Sequence, residues 1–223
     1  MKLDAYEYIS LVIPGSVVAL VLTLLSPDIR DVIAKNGMDL GGFGIVVLVA
    51  LVSGYLIQAL GNWIESAQEW MGIDPSEQLR LRGKGPVSAS QFNRAKELLK
   101  AKGHDDLSNA SVSDWRGLRG EMAAEIRAHD NSSRLDVMLR MYGLGRGLIS
   151  AFIVSMIFTL LFPDGNEIRW KYLIVLGIGL ILSYFRARRF SQSYLRELII
   201  GYVRAETSSK SKAEEKGKNN TEE

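Results

Sequence analysis

The apolar positions of this chain are bunched rather than spread, in four stretches near residues 9–26, 40–60, 148–162 and 170–185 that carry almost no charge. A helix crossing a hydrocarbon layer of roughly 30 Å at about 1.5 Å per residue needs ~20 apolar residues. Ile9 to Ser26 just meets that length and contains Pro14-Gly15. A proline removes one backbone donor, so a kink is expected, with a neighbour satisfying the freed carbonyl. Leu40 to Leu60 is the cleanest span. The third, Leu148 to Phe162, follows Gly143-Leu144-Gly145-Arg146-Gly147, where Arg146 can reach towards headgroups. The fourth runs from Trp170 to Phe185, with Trp170, Tyr172 and Tyr184 placed as interfacial aromatics. Pro163-Asp164-Gly165-Asn166-Glu167 is a turn sequence that makes the last two spans a hairpin.

Between the second and third spans the pattern changes to short amphipathic helices. Ser88 with Gln91 three residues on is a capping box, and Phe92, Ala95, Leu98 and Leu99 form a buried face until Gly103 ends the helix. A second helix fits 112–129. A third, capped by Asn131 or Ser132, places Leu135, Met138, Leu139 and Tyr142 on one side and feeds the third span. After the fourth span Phe190, Tyr194, Leu198 and Tyr202 recur every four residues beside Leu195 and Ile199, an amphipathic extension expected to pack on the inserted domain. From Thr207 onward no aliphatic residue larger than alanine occurs, so disorder is expected there. The fold class is thus all-α: an integral membrane protein with four transmembrane helices and a small cytoplasmic helical insertion between spans two and three. Its parts are a first hairpin (1–62), a cytoplasmic domain (63–142), a second hairpin (143–185), an amphipathic helix (186–206) and a disordered tail (207–223).

Charge sets the orientation. Regions 63–146 and 186–223 hold 22 of the 27 Lys and Arg residues, whereas the loops at 27–39 and 163–171 hold two each. Basic residues favour the cytoplasmic side, which puts both termini in the cytoplasm and the spans in a bacterial inner membrane. Lys2 precedes the first apolar run, but the exit is Ser26-Pro27-Asp28 with no small-x-small site, so a retained span is expected rather than a signal peptide. A net charge of +2 supplies no field to recruit nucleic acid. With no Cys there is neither a disulfide framework nor a thiolate site.

Little catalytic chemistry remains, and no cofactor or metal is expected. The two His-Asp runs, His104-Asp105-Asp106 and His129-Asp130, admit a metal-dependent hydrolase as the alternative reading, but turn and cap use of Asp explains them better. Gly143-x-Gly-x-Gly147 has neither a strand before it nor a Lys-Ser after it, and Gly83-Lys84-Gly85 does not fit a P-loop. Ser53-Gly54 lies in a span, yet the spans hold no His, and their one Lys, Lys171, sits at the edge of the fourth.

Two patterns inside the spans stand out instead. Gly143, Gly147, Ala151, Ser155 and Thr159 fall on one i, i+4 ridge, which allows close helix approach and interhelical hydrogen bonds. Gly179 with Ser183 and Gly15 with Ala19 offer matching surfaces. Gln58, Asn62, Glu65 and Glu69 form a polar stripe on the second helix, which either lines a pore in an oligomer or serves packing and solvation.

At these positions a resemblance enters. Tyr55-Leu-Ile-Gln58-Ala-Leu-Gly61-Asn62, Met141-Tyr142-Gly143-Leu-Gly145-Arg146-Gly147 and Tyr194-Leu-Arg196-Glu197-Leu resemble segments of uncharacterised bacterial four-span inner-membrane proteins. The resemblance covers the spans and their flanks and implies no activity and no site. By plan alone, small membrane proteins with a cytoplasmic helical domain are similar to membrane effectors of bacterial defence. The expectation is a non-enzymatic, homo-oligomeric inner-membrane protein. Its partners would be the lipid bilayer, other copies of itself and a cytoplasmic protein or signal, with a pore as one possible output.

Overall fold

A computed structural model describes residues 5–26, 40–70, 74–83, 85–104, 110–129, 133–161 and 166–219. Among them every regular element is helical: α1 (Ala5–Leu25), α2 (Leu40–Trp70), α3 (Pro75–Arg82), α4 (Ala89–Ala101), α5 (Val112–Ala128), α6 (Ser133–Leu161) and α7 (Asn166–Asn219). Four of these, α1, α2, α6 and α7, contain stretches long and apolar enough to cross a membrane. The chain divides into two compact units, one of residues 1–68 with 140–189 and one of residues 69–139 with 190–223.

The first unit holds the apolar stretches. α1 runs through Pro14 without a break, with the proline ring fully buried. α1 and α2 meet backbone to backbone. A Cβ at Gly15 would lie 1.8 Å from the Ala50 carbonyl oxygen, and one at Gly54 would lie 2.0 Å from that of Leu11, so neither position has room for a side chain. Val18, Ile57 and Ala151 form the small interior of this unit. Outward, the same helices present large apolar side chains: Leu48, Val52 and Leu56 on α2, and Val175, Leu182 and Phe185 on α7, are each more than half exposed.

The second unit has a conventional core. Phe92, Ala95 and Leu99 of α4 pack with Trp115, Met122 and Ile126 of α5, together with Leu79 and Leu135. The core is completed by Leu198, Ile199 and Tyr202 of α7, so the amphipathic extension is an integral part of it. A Cβ at Gly201 would lie 3.0 Å from Ile126 Cδ1, which marks how closely α5 and α7 approach. Leu98 is only partly buried and Leu139 is exposed, which narrows the faces that periodicity assigned to α4 and α6.

Caps explain where the helices begin. Ser88 and Gln91 make the reciprocal capping box of α4. Ser111 and Asp114 make the same motif at α5, where bonds from the Ser111 hydroxyl and amide hold the Asp114 carboxyl below its usual range. The proposed caps Asn131 and Ser132 lie outside the described residues. α3 starts at Asp74, whose carboxylate accepts from Ser76 N at 2.8 Å with Pro75 in the first turn, and stops at Gly83, whose φ of 59° is left-handed.

Thr207 was expected to begin a disordered tail; the described part of α7 runs to Asn219. The segment is rich in Lys and Ser, free of proline and without an apolar face. Its start is also tied down: Thr207 Oγ1 and Ser209 Oγ donate to the carbonyls of Val203 and Ala205, and His129 Nε2 lies 2.7 Å from Ser209 Oγ.

Candidate functional site

In the first unit the polar stripe of α2 and the glycine-rich start of the α6 ridge come together. Tyr55, Gln58 and Asn62 from α2 and Gly143, Arg146 and Gly147 from α6 line a cleft of about 230 Å³. The geometry follows from small residues. Gly61 is buried, and a Cβ there would sit 3.4 Å from Ser150 Oγ, so α2 and α6 lie close just beside the cleft.

Gln58 has a structural task here. Pro14 cannot donate to the carbonyl of Ser10 four residues before it. Gln58 Nε2 lies 3.5 Å from that carbonyl oxygen and 3.3 Å from Ser10 Oγ, donating to both. The neighbour that compensates the proline is therefore the stripe's own amide. Gly147 makes room for the arrangement, since a Cβ there would be 3.0 Å from Pro14 Cγ. Asn62 is exposed, and its backbone carbonyl accepts from Ser66 Oγ at 3.1 Å. The side chains of Glu65 and Glu69 lie outside the described residues.

Of the ridge, Gly147, Ala151, Ser155 and Thr159 are buried, while Gly143 is half-buried and a Cβ there would meet nothing within 4 Å. Gly143 thus belongs to the cleft rim. The hydroxyls do not bridge helices as anticipated: Thr159 Oγ1 donates to Ser155 O at 2.8 Å within its own helix, and buried Ser155 Oγ has no partner among the described residues. Close packing, and not interhelical hydrogen bonding, is what this seam supplies. On α7 Ser183 is buried, and a Cβ at Gly179 would meet the Phe152 ring at 2.6 Å.

Arg146 is the cleft's charge. Its guanidinium carbon lies 5.2 Å from the centre of the Tyr142 ring. Stacking of this kind engages a face of the guanidinium, whereas its donors lie in the plane.

The second unit has its own cavity, of about 400 Å³, lined by Leu99, Lys102, His104, Glu121, Glu125 and Tyr202 among others. Lys102 forms ion pairs with Glu206 and, at 3.5 Å, with Glu125, and its ammonium lies 5.5 Å from the centre of the Tyr202 ring. The hydrogen bond to Glu206 holds the Lys102 pKa above its ordinary value against the opposing effect of burial. His104 Nε2 sits 3.1 Å from Glu121, and His129 Nδ1 faces the Glu125 carbonyl at 3.0 Å. Each histidine is thus engaged with a different neighbour. Asp105, Asp106 and Asp130 lie outside the described residues, and among the described residues no group of three or more His, Cys, Asp or Glu is disposed to hold a metal ion.

Sequence reasoning missed the polar cluster of α3. Glu77 is buried and takes two bonds from Arg80, at 2.9 Å from Nε and 2.6 Å from Nη2, and Arg80 also bonds the Ala110 carbonyl. Asp74-Pro75, a capping residue followed by a first-turn proline, was the available signal.

Comparison with known proteins finds no family model, no curated protein and no solved structure that matches this chain.

Proposed function

We propose that the chain is a non-enzymatic, homo-oligomeric protein of the bacterial inner membrane, in which the unit built on α4 and α5 is cytoplasmic, receives a protein partner or signal, and relays it to the spans. The observation that carries the membrane part is the outward apolar surface. Only 17–39% of the four apolar stretches is buried, which leaves extended apolar surface of the kind that marks a membrane or partner contact.

The relay follows from α7. Leu198, Ile199 and Tyr202 lie in the core of the second unit, while Trp170 to Phe185, on the same unbroken helix, is the fourth apolar stretch. In this reading α7 is the element that carries the response, because it contributes to that core and continues the fourth apolar stretch.

Gln58 held by Ser10 argues that the resting bundle is sealed at this end of the stripe. An effector of this kind opens only when its cytoplasmic unit is engaged. Mass measurement in nanodiscs tests the oligomer: a multiple of 24.8 kDa above one is expected, and a strict monomer overturns it. Proteoliposomes holding a potassium gradient test the seal, and a constant leak from the unengaged protein contradicts it.

A further inference from the structure

We infer that the cleft between α2 and α6 is a binding site for the headgroup of an anionic phospholipid, with Arg146 as the residue that meets the phosphate. The inference rests on the membrane reading above.

Three observations place the cleft at headgroup level. Trp63, one residue beyond Asn62, is 77% exposed, as an interfacial indole would be. Gly61 lies opposite Arg146, with its Cβ position 3.8 Å from Arg146 Cβ. On the far side of α6, a Cβ at Gly145 would be 2.8 Å from Ala187 Cβ, and Ala187 is flanked by Arg186, Arg188 and Arg189. An aromatic, a cleft with one arginine and a run of three arginines therefore share one level of the unit. Basic pockets between spans on the cytoplasmic side are suited to phosphate-bearing headgroups, whose acyl chains stay in the lipid alongside.

The lining fits such an occupant. Among the described lining residues Arg146 is the one that carries a charge, and it is positive, as an anion requires. Tyr55 and Asn62 add a hydroxyl and an amide for ester and glycerol oxygens, and Gly143 leaves the rim open. Tyr55, Leu56 and Leu60 on the same helix are exposed, an apolar surface along which acyl chains can lie. A soluble phosphate compound would find the arginine and the polar groups but would gain nothing from that surface.

The test uses the full chain in non-ionic detergent, titrated with phosphatidylglycerol or phosphatidylcholine and read by native mass spectrometry. Selective retention of phosphatidylglycerol is expected. Arg146→Gln should weaken it about fivefold, the effect of one basic residue near an anionic headgroup. Gly143→Leu should weaken it as much while leaving every charge in place, because an added Cβ has nothing within 4 Å there and the longer side chain fills the rim. Lys171→Gln, exposed, outside the lining and outside the arginine run, is the control and should change binding by less than about twofold. Equal retention of the two lipids, an unchanged affinity in Gly143→Leu, or displacement of the lipid by inorganic phosphate overturns the site. Alkaline carbonate extraction separates the two readings. If the chain leaves the membrane fraction, the membrane reading fails and takes the site with it. If it stays but shows no lipid selectivity, only the site is wrong.

Discussion

Glycines in one bundle have opposite consequences according to what lies beside them. At Gly54 an added methyl would meet the Leu11 carbonyl, which is backbone and cannot rotate away, whereas at Gly177 it would meet nothing within 4 Å. Gly54→Ala should therefore destabilise the bundle by about 2–3 kcal/mol, and Gly177→Ala should change it by less than about 0.5 kcal/mol, as read by thermal unfolding in detergent. Gln58→Leu removes the donor to the Ser10 carbonyl, to which Pro14 cannot donate. It should cost about 1–3 kcal/mol, while Pro14→Ala in the same background should recover part of the loss by restoring the helix's own donor. The sequence pointed to Gln58 as polar and to Pro14 as needing compensation. That each answered the other was hidden, because residues 44 apart in sequence give no sign of sharing a crossing.

At the scale of elements, apolar periodicity located every long helix and failed at the short one. Among the described side chains of Pro75–Arg82 one leucine, Leu79, is buried beside a set of polar contacts, so a pattern built on apolar periodicity passes over it. Its Arg80–Glu77 pair should matter more than an exposed pair, since Glu77 is buried. Arg80→Met should destabilise the second unit by about 3 kcal/mol in chemical denaturation, through the buried carboxylate it strands. The α4–α7 connection through Lys102 and Glu206 should show itself in pH dependence. The Lys102 pKa is raised in the folded chain, so its contribution is complete below the ordinary lysine value of 10.5 and is lost as pH rises through the higher folded value. The difference in Tm between the native chain and Lys102→Met should therefore be constant near neutrality and shrink only in strong alkali. A difference already shrinking between pH 6 and 8, on the order of the histidine range, would assign the effect elsewhere. Periodicity follows α7 only as far as its apolar face, which ends near Thr207, and says nothing of the turns beyond it.

For the whole molecule, segregation of charge was the most legible feature. It separated the apolar stretches from the basic regions and gave a fold class of helices alone. The cleft was legible only in halves: Gln58 and Asn62 as a stripe, Gly143 and Gly147 as part of a ridge. Joining them required the crossing of α2 and α6, which is set by Gly61 meeting Arg146 and Ser150 and has no periodic signature. The account as a whole depends on the apolar stretches spanning a bilayer with the α4–α5 unit inside. The absence of cysteine makes this directly measurable, because any single introduced cysteine is the only thiol. Single cysteines at Ile33, Lys100 and Asn166 would be treated with a membrane-impermeant maleimide in intact spheroplasts. The account predicts labelling at 33 and 166, and at 100 only after permeabilisation; labelling of residue 100 in intact spheroplasts would contradict it.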